Sequence, residues 1–235
     1  MHRLAITVFL ASLTSSASAD ANPVHGKLEL PTTAPERPPP SVRGFVERVE
    51  NPKKDIQAVN VTPYLLVVLE NDTSKPDNPG QVKWELAGDS FAKPVIGAPL
   101  GAQVVVKNTS HTARTLVAVE DAKLIGNGLV NPKIGEKSFT VTEPKIYTIT
   151  DKDAPHLIGK VVVVSSPYIA NVGPDGKFEL DAPEGSYKVR VFYKDRWLDQ
   201  SESLTVTAKG KSEPTIKITS LVAGSSAAPA AEKKP

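Results

Sequence analysis

The sequence contains no cysteine, and its single methionine is the initiator Met1. Without cysteine the folded chain has no disulfide bonds, so an apolar core must stabilise it unaided. A thioether-linked lipid of the kind that anchors bacterial lipoproteins is excluded for the same reason. Blue-copper electron transfer is excluded too, because that metal site requires a cysteine thiolate in its equatorial plane.

Long apolar runs and concentrated charge are also missing. Beyond the N-terminus, the richest apolar segments are Pro63–Leu69 and Val161–Val164. Both are far shorter than the roughly 18 to 20 residues that a bilayer-spanning helix needs. The 28 basic and 26 acidic residues are spread evenly and give a formal net charge of +2. We therefore expect neither a membrane span nor a nucleic-acid partner.

Residues 1–19 have the pattern of a secretory signal peptide. A basic start at Arg3 is followed by the apolar run Leu4–Leu13 and by small residues that end at Ala19. This order of basic, apolar and small residues is typical of export signals, and cleavage would leave Asp20 as the new N-terminus. We expect an exported protein, either periplasmic or extracellular.

Residues 20–41 are rich in proline, including the run Pro38–Pro40. Proline lacks an amide donor and holds the backbone near polyproline II. The segment is therefore predicted to be a semi-extended arm, acting as a spacer or an edge strand rather than a central strand. At the other end, residues 223–235 are small, polar and lysine-tipped, which predicts a disordered tail.

Between these ends, short β-type runs recur, and turn residues separate them. No segment has apolar residues at helical spacing over the length of a confident helix. The sequence therefore predicts an all-β fold of one or two sandwiches. The predicted strands are Val42–Val49, Tyr64–Glu70, Gln81–Leu86, Gln103–Lys107, Thr115–Val119, Lys137–Thr142, Lys145–Thr150, Gly159–Ser165, Lys177–Leu180, Ser186–Tyr193, Ser203–Thr207 and Thr215–Leu221.

Two stretches of the chain share motifs with a known family. Residues 91–94 read Phe-Ala-Lys-Pro and precede a Gly-x-x-Val strand that begins at Gly101 and ends in Asn108. This resembles the opening of the cupredoxin-like "methylamine utilisation proteins". The segment from residue 161 to residue 191 resembles the C-terminal half of the proteins in that family. It also resembles a carboxypeptidase regulatory-like, or transthyretin-like, module. The resemblance implies a cupredoxin-like Greek-key sandwich over residues 42–160, followed by a smaller regulatory-like β-sandwich over 161–222.

The second stretch also has a physical interpretation of its own. Asp175-Gly176 suits a tight hairpin turn, because glycine adopts a positive φ without steric cost. Alternation then predicts that one set of side chains points into the core of the second module. This set is Phe178, Leu180, Tyr187, Val189 and Val191.

The resemblance also locates where copper ligands would fall. Counting at the family's spacing places Arg114 at the first histidine, Asp151 at the cysteine, Ala154 at the second histidine and Leu157 at the methionine. None of these four residues is of the type that binds copper at its position in the family. The resemblance therefore implies a sandwich without its copper, and we expect no cofactor.

A weaker metal hypothesis stays open. His111 and His156 fall in the two loops that carry histidine ligands in cupredoxins, with Asp151 and Asp153 beside the second. Two imidazoles and a carboxylate suit zinc or cupric ion. The alternative is that both histidines are solvated loop residues, because their neighbours are Thr, Ser, Pro and Asp.

Catalysis has little support, and binding has one candidate surface. Ser110, His111 and Asp121 lack a nucleophile-elbow pattern, so we expect no enzyme.

Aromatic and cationic side chains concentrate around Tyr193, Arg196 and Trp197. These residue types are enriched in binding hot spots. We therefore expect a non-catalytic module whose partner is an envelope protein or a glycan, with a periplasmic metal-handling or small-ligand-handling protein that uses His111 and His156 as the alternative.

Overall fold

The computed structural model describes residues 21–30, 60–72, 78–198, 203–207, 213–218 and 221. Within these residues the chain is all-β, as the sequence predicts, apart from a short 3-10 helix at Thr62–Tyr64. No helix there is long and apolar enough to cross a membrane. The predicted signal peptide, the run Val42–Val49, the tail from 223 and most of the proline-rich arm lie outside the described residues.

Eleven of the predicted runs coincide with observed strands to within a few residues, because either alternating apolar side chains or a concentration of β-branched residues marks them. The sequence prediction missed four very short strands and one strand of five residues that contains Gly97. These are Ser90–Phe91, Leu129–Val130, Ile169–Asn171, Arg196–Trp197 and Val95–Pro99. The strands are β1 Asn22–Glu29, β2 Leu65–Glu70, β3 Gln81–Ala87, β4 Ser90–Phe91, β5 Val95–Pro99, β6 Gln103–Asn108, β7 Arg114–Ala118, β8 Leu129–Val130, β9 Gly135–Thr140, β10 Ile146–Asp151, β11 Ile158–Val164, β12 Ile169–Asn171, β13 Lys177–Ala182, β14 Gly185–Tyr193, β15 Arg196–Trp197, β16 Ser203–Val206 and β17 Thr215–Lys217.

The described strands form four sheets. Sheet I has the order β4-β3-β6-β9, and sheet II has the order β5-β11-β10-β7-β8. These two sheets enclose the first core, which includes Trp84, Val104 and Tyr147. Sheet III has the order β12-β2-β14-β15, with β16 beside β14, and sheet IV has the order β13-β1-β17. Sheets III and IV enclose the second core, which includes Val67 on β2 and Tyr187 on β14.

The two sandwiches share a third apolar layer, in which sheet II packs against sheet III. Strand β2 is buried on both faces, since Leu65, Val67 and Leu69 enter the second core while Leu66 and Val68 enter the shared layer. Strand β11 does the same from the other side. Its Val161 and Val163 enter the first core, and Val162 and Val164 enter the shared layer. The four sheets therefore stack in the order I, II, III, IV.

One close contact in the shared layer depends on a glycine. A Cβ built on Gly97 of β5 would overlap with Cγ2 of Ile169 on β12, so only a residue without a side chain fits there. The Asn171 side-chain amide donates to the Val95 carbonyl oxygen at 3.0 Å and ties the same two strands together. The two sandwiches thus meet through packed backbone as well as through side chains.

The sequence predicts that the first sandwich ends at residue 160 and that the second begins at residue 161. The strands are distributed differently between the two sandwiches. Strands β1 and β2 belong to sheets IV and III, whereas β3 to β11 build the first sandwich. The first sandwich is therefore inserted between β2 and β12 of the second. Sequence alone does not reveal this, because the pairing of β2 with β14 joins residues that are far apart in the chain.

Strand β1 also differs from the predicted arm, because it is the central strand of sheet IV. It pairs antiparallel with β13 through Asn22–Lys27 and parallel with β17 through Lys27–Glu29. Pro23 lies at the start of the strand, before the pairing with β17 begins, which is where a residue without an amide donor is tolerated. Val24 and Leu28 are buried in the second core.

The turn at Asp175-Gly176 is not the predicted hairpin. Gly176 has the expected positive φ of 79°, but β12 before it lies in sheet III and β13 after it lies in sheet IV. The turn therefore carries the chain from one sheet of the sandwich to the other. The predicted inward set Phe178, Leu180, Tyr187, Val189 and Val191 is confirmed, since all five residues are buried in the second core.

Replacing Val189 by Asp should unfold at least the second sandwich. The carboxylate would enter the second core without a partner, and we expect the free energy of unfolding to fall by more than about 3 kcal/mol. Ser186→Asp on the exposed side of the same strand is the matched control and should melt like the wild type. Thermal unfolding followed by circular dichroism measures both, and an unchanged melting curve for Val189→Asp would contradict the assigned register.

Candidate functional site

Three segments of the first sandwich meet at one end of its sheets. Arg114 is the first residue of β7, and Asp151 is the last residue of β10, which pairs with β7. Asp89 lies in the turn between β3 and β4, next to Gly88, whose φ is 64°. The site therefore combines two neighbouring strand ends of sheet II with a turn of sheet I.

A buried ion pair occupies this end. Arg114 Nη1 donates to Asp151 Oδ2 at 3.2 Å, and Nη2 donates to Asp89 Oδ1 and to the Gly88 carbonyl oxygen. Only 8% of Arg114 and 1% of Asp151 are exposed to solvent. Because Arg114 contacts a carboxylate from each sheet, it links the two layers of the first sandwich.

The second oxygen of Asp151 is also occupied. Asp151 Oδ1 accepts the amide protons of Thr115 at 3.2 Å and of Asp153 at 3.1 Å. A buried carboxylate is stable only when such donors replace its lost hydration. Both oxygens of Asp151 therefore accept hydrogen bonds that stabilise the fold.

Asn108 organises the neighbouring loop. Its Oδ1 accepts hydrogen bonds from the Ser110 hydroxyl at 2.6 Å and from the Ser110 amide at 3.0 Å. Its Nδ2 donates to the carbonyl oxygens of Thr112 and Val130. Asn108 is fully buried, so these bonds satisfy an otherwise costly amide and fix the loop that carries His111.

The structure does not assemble the four metal candidates into a site. His111 and His156 are exposed, as is Asp153, whereas Asp151 is buried. Within the described residues no group of three or more His, Cys, Asp or Glu side chains is placed to hold a metal ion. Asp151 is unsuited to a metal for a physical reason, because one of its oxygens accepts from Arg114 and the other from two backbone amides. Ala154 and Leu157, at the two remaining ligand positions, are buried in the first core.

The aromatic candidates separate into buried and half-buried residues. Tyr193 is only 3% exposed and packs in the second core, so it is not available as a contact residue. Arg196 is half-buried, and its Nε lies 3.4 Å from Asp195 Oδ1. The sequence suggests a surface position for Tyr193 because the local pattern does not show that β14 is buried on both faces at its end.

Trp197 closes one side of the shared layer between sheets II and III. Its ring meets Phe192 edge-on, with ring centroids 5.3 Å apart, and the Arg190 guanidinium carbon lies 4.0 Å from the Trp197 ring centroid. Arg190 Nη1 in turn donates to Glu70 Oε1 at 3.0 Å. The half-buried indole is therefore held between an aromatic ring and a paired cation.

The family's spacing singles out Arg114 and Asp151 in the sequence but not two of the residues that support them. Asp89 belongs to no motif that points to Arg114, because the contact depends on how sheets I and II pack. Asn108 is marked in the sequence only as the last residue of a family motif. A polar residue at the end of a valine-rich strand was the one available signal for its structural role.

Comparison with solved structures finds cupredoxins. A reduced Cu(I) form of an amicyanin mutant matches with 18% sequence identity and a TM-score of 0.31, covering 42% of this chain and 98% of that chain. Amicyanin from Paracoccus versutus matches with 15% identity and a TM-score of 0.31, covering 42% and 97%. A mutant fern plastocyanin matches with 16% identity and a TM-score of 0.30, covering 35% and 100%. No protein-family model and no curated protein matches the chain.

Replacing Asp151 by Ala should destabilise the first sandwich. The Arg114 guanidinium would lose its buried partner and two amides would lose their acceptor, so we expect a loss of about 3 kcal/mol in the free energy of unfolding. Glu29→Ala, which removes an acid from an exposed pair with Lys217, should leave the melting temperature nearly unchanged. Denaturant unfolding measures both variants.

A double-mutant cycle tests whether the loss comes from the ion pair itself. Arg114→Met should cost less in the Asp151→Ala background than in the wild type, because the guanidinium has already lost its partner there. Equal costs in the two backgrounds would contradict an energetic link between the two side chains.

Replacing Trp197 by Ala should lower the free energy of unfolding by about 3 kcal/mol, as large-to-small changes in a core do. The indole closes the shared layer, so Trp197→Phe should retain much of this stability. Thermal unfolding of the two variants provides the measurement. An unchanged melting temperature for Trp197→Ala would contradict a stabilising role for the indole in the shared layer.

Proposed function

We propose that this chain is an exported, non-catalytic protein of the cell envelope that works without a metal. Its first sandwich is a cupredoxin-like domain that serves in protein or glycan binding or in envelope structure. The observation that carries the proposal is the buried contact between Arg114 and Asp151. By the family's spacing, these are the positions of the first histidine and the cysteine of a copper site.

The chemistry of this end supports a metal-free role. A guanidinium is a permanent cation, so it opposes the binding of a second cation beside it. Asp151 is the one carboxylate at a ligand position, and both of its oxygens already accept hydrogen bonds. Ala154 and Leu157 supply apolar contacts to the core instead of ligand atoms. An ion pair and apolar packing thus occupy the positions that the family's spacing assigns to copper ligands.

The other parts of the proposal rest on sequence patterns. Export is inferred from the order of residues in segment 1–19. The regulatory-like character of the second sandwich is inferred from its motifs between residues 161 and 191. A non-catalytic role is supported by Ser110, because the acceptors of its single hydroxyl proton are Asn108 Oδ1 at 2.6 Å and the Thr112 carbonyl oxygen at 3.0 Å.

Restoring the family's ligands tests the proposal directly. The variant combining Arg114→His, Asp151→Cys, Ala154→His and Leu157→Met should bind one cupric ion and show thiolate-to-copper charge-transfer absorption, because two imidazoles, a thiolate and a thioether make a blue-copper ligand set. The wild type should bind no stoichiometric copper. The matched control carries Asp151→Ser instead of Asp151→Cys and should lack the absorption band.

Circular dichroism establishes that each variant is folded before copper is added. A folded four-site variant that takes up copper without the charge-transfer band would show that the four positions do not converge on one ion. Stoichiometric copper bound by the wild type would equally overturn the proposal.

A further inference from the structure

The turn before β8 contains a dipeptide that occurs once in the chain. Asn127 is followed by Gly128, whereas every other asparagine in the sequence precedes proline, valine, threonine or aspartate. An asparagine side chain can close a five-membered ring on the amide nitrogen of the next residue. A glycine at that position has no side chain to hinder the closure, and a proline has no amide proton to lose. The ring therefore forms more readily at residue 127 than at any other asparagine.

The structure leaves the two reacting groups of this dipeptide free to meet. The Asn127 side chain is exposed, and its Oδ1 accepts only a long hydrogen bond of 3.3 Å from the Leu129 amide. Gly128 is buried and its carbonyl oxygen accepts from the Leu116 amide at 2.9 Å, but its own amide donates to no acceptor among the described residues. No hydrogen bond therefore holds the Gly128 nitrogen away from the Asn127 side chain.

The comparable dipeptide Asp175-Gly176 is protected by its surroundings. The Gly176 amide donates to the Gly173 carbonyl oxygen at 3.0 Å, so its nitrogen is already engaged. Asp175 Oδ2 lies 3.1 Å from Lys177 Nζ, and Oδ1 accepts from the Lys177 amide at 3.2 Å. The hydrogen bond with the Lys177 side chain, and then the one with its amide, lowers the pKa of Asp175. An ionised carboxylate is a poor target for a nucleophile, so Asp175 should persist in the folded chain.

We propose that Asn127 is a site of spontaneous self-modification, at which the folded chain converts asparagine to aspartate and isoaspartate. Hydroxide takes the Gly128 amide proton, and the nitrogen then attacks Asn127 Cγ. The N–Cγ bond forms, the Cγ–Nδ2 bond breaks, and ammonia leaves with a proton from water. Water opens the ring in one of two ways. Breaking the new N–Cγ bond gives aspartate, and breaking the bond from nitrogen to the main-chain carbonyl carbon gives isoaspartate.

The isoaspartate product should disturb the packing of β8. It adds one carbon atom to the backbone directly before Gly128, at a point where the chain has no room to shift. A Cβ built on Gly128 would lie 1.8 Å from the Leu116 carbonyl oxygen. The aspartate product keeps the backbone length and an oxygen that accepts from the Leu129 amide, so it should leave β8 in place.

The same strand supports the end of the first sandwich that carries the buried ion pair. Val130 of β8 pairs with Arg114 at the start of β7. The Val130 carbonyl oxygen also accepts from the Asn108 side-chain amide at 3.1 Å. Isoaspartate at residue 127 therefore acts on the contacts that fix Arg114 and the neighbouring loop.

Incubation of the folded protein in mildly alkaline buffer, followed by peptide mapping with mass spectrometry, tests the proposal. Residue 127 should lose its amide and yield both products, while the other asparagines and Asp175 remain unchanged. The loss should accelerate as the pH rises, because the attacking nitrogen must first lose its proton. Asn127→Gln is the matched control, because it keeps an exposed amide but requires a larger ring, and it should stay unmodified.

Synthetic peptides of residues 124–131 and 172–179 separate the effect of the fold from that of the sequence. Both peptides should form isoaspartate, whereas only the first segment should do so in the folded chain. A folded chain that retains Asn127 while its peptide reacts would overturn the proposal. Isoaspartate at residue 175 as early as at residue 127 would overturn the protective role of Lys177, and aspartate without isoaspartate would exclude the ring.

Thermal unfolding of the separated products tests the effect on β8. The isoaspartate form should melt at a lower temperature than the unmodified protein, and Asn127→Asp should melt like the wild type. Equal melting temperatures for the isoaspartate form and Asn127→Asp would contradict the link between residue 127 and the end that carries Arg114.

Discussion

Two strands that are buried on both faces hold this protein together. Strands β2 and β11 have apolar side chains in both directions, so each needs a packed layer above and below it. A single two-sheet sandwich buries only one face of each strand. The stack of four sheets satisfies this requirement, and the shared layer between sheets II and III joins the two sandwiches.

The ion pair at the end of the first sandwich is a more local constraint. Taking two charges out of water costs several kcal/mol unless good geometry and further hydrogen bonds compensate. Asp151 meets these conditions through Arg114 and two backbone amides. Arg114 also reaches Asp89 in a turn of the opposite sheet, so the pair fixes how sheets I and II meet. A metal ion would fix strand ends in a comparable way, and here protein charges do so.

The need to cover apolar faces also explains the role of Trp197 and the composition of the uncovered part of sheet II. Where sheet II is covered by sheet III, Phe192, Trp197 and Arg190 complete the packing at its border. Where sheet II is uncovered, threonines reduce the cost of exposing a β-sheet surface, while Ile158 and Leu129 remain apolar. The exposed part of sheet II is therefore decided by where sheet III ends rather than by any motif in the chain.

The sequence by itself determined the all-β class, most of the longer strands and the inward set on β13 and β14, because alternation along a strand is a local property. It also excluded disulfides and a thiolate metal site through the absence of cysteine. Only the tertiary structure decided that β1 is a central strand, that Tyr193 is buried and that Asp151 pairs with Arg114 rather than joining the loop histidines. These features depend on contacts between residues far apart in the chain, and a local pattern carries no information about which distant strand becomes the neighbour.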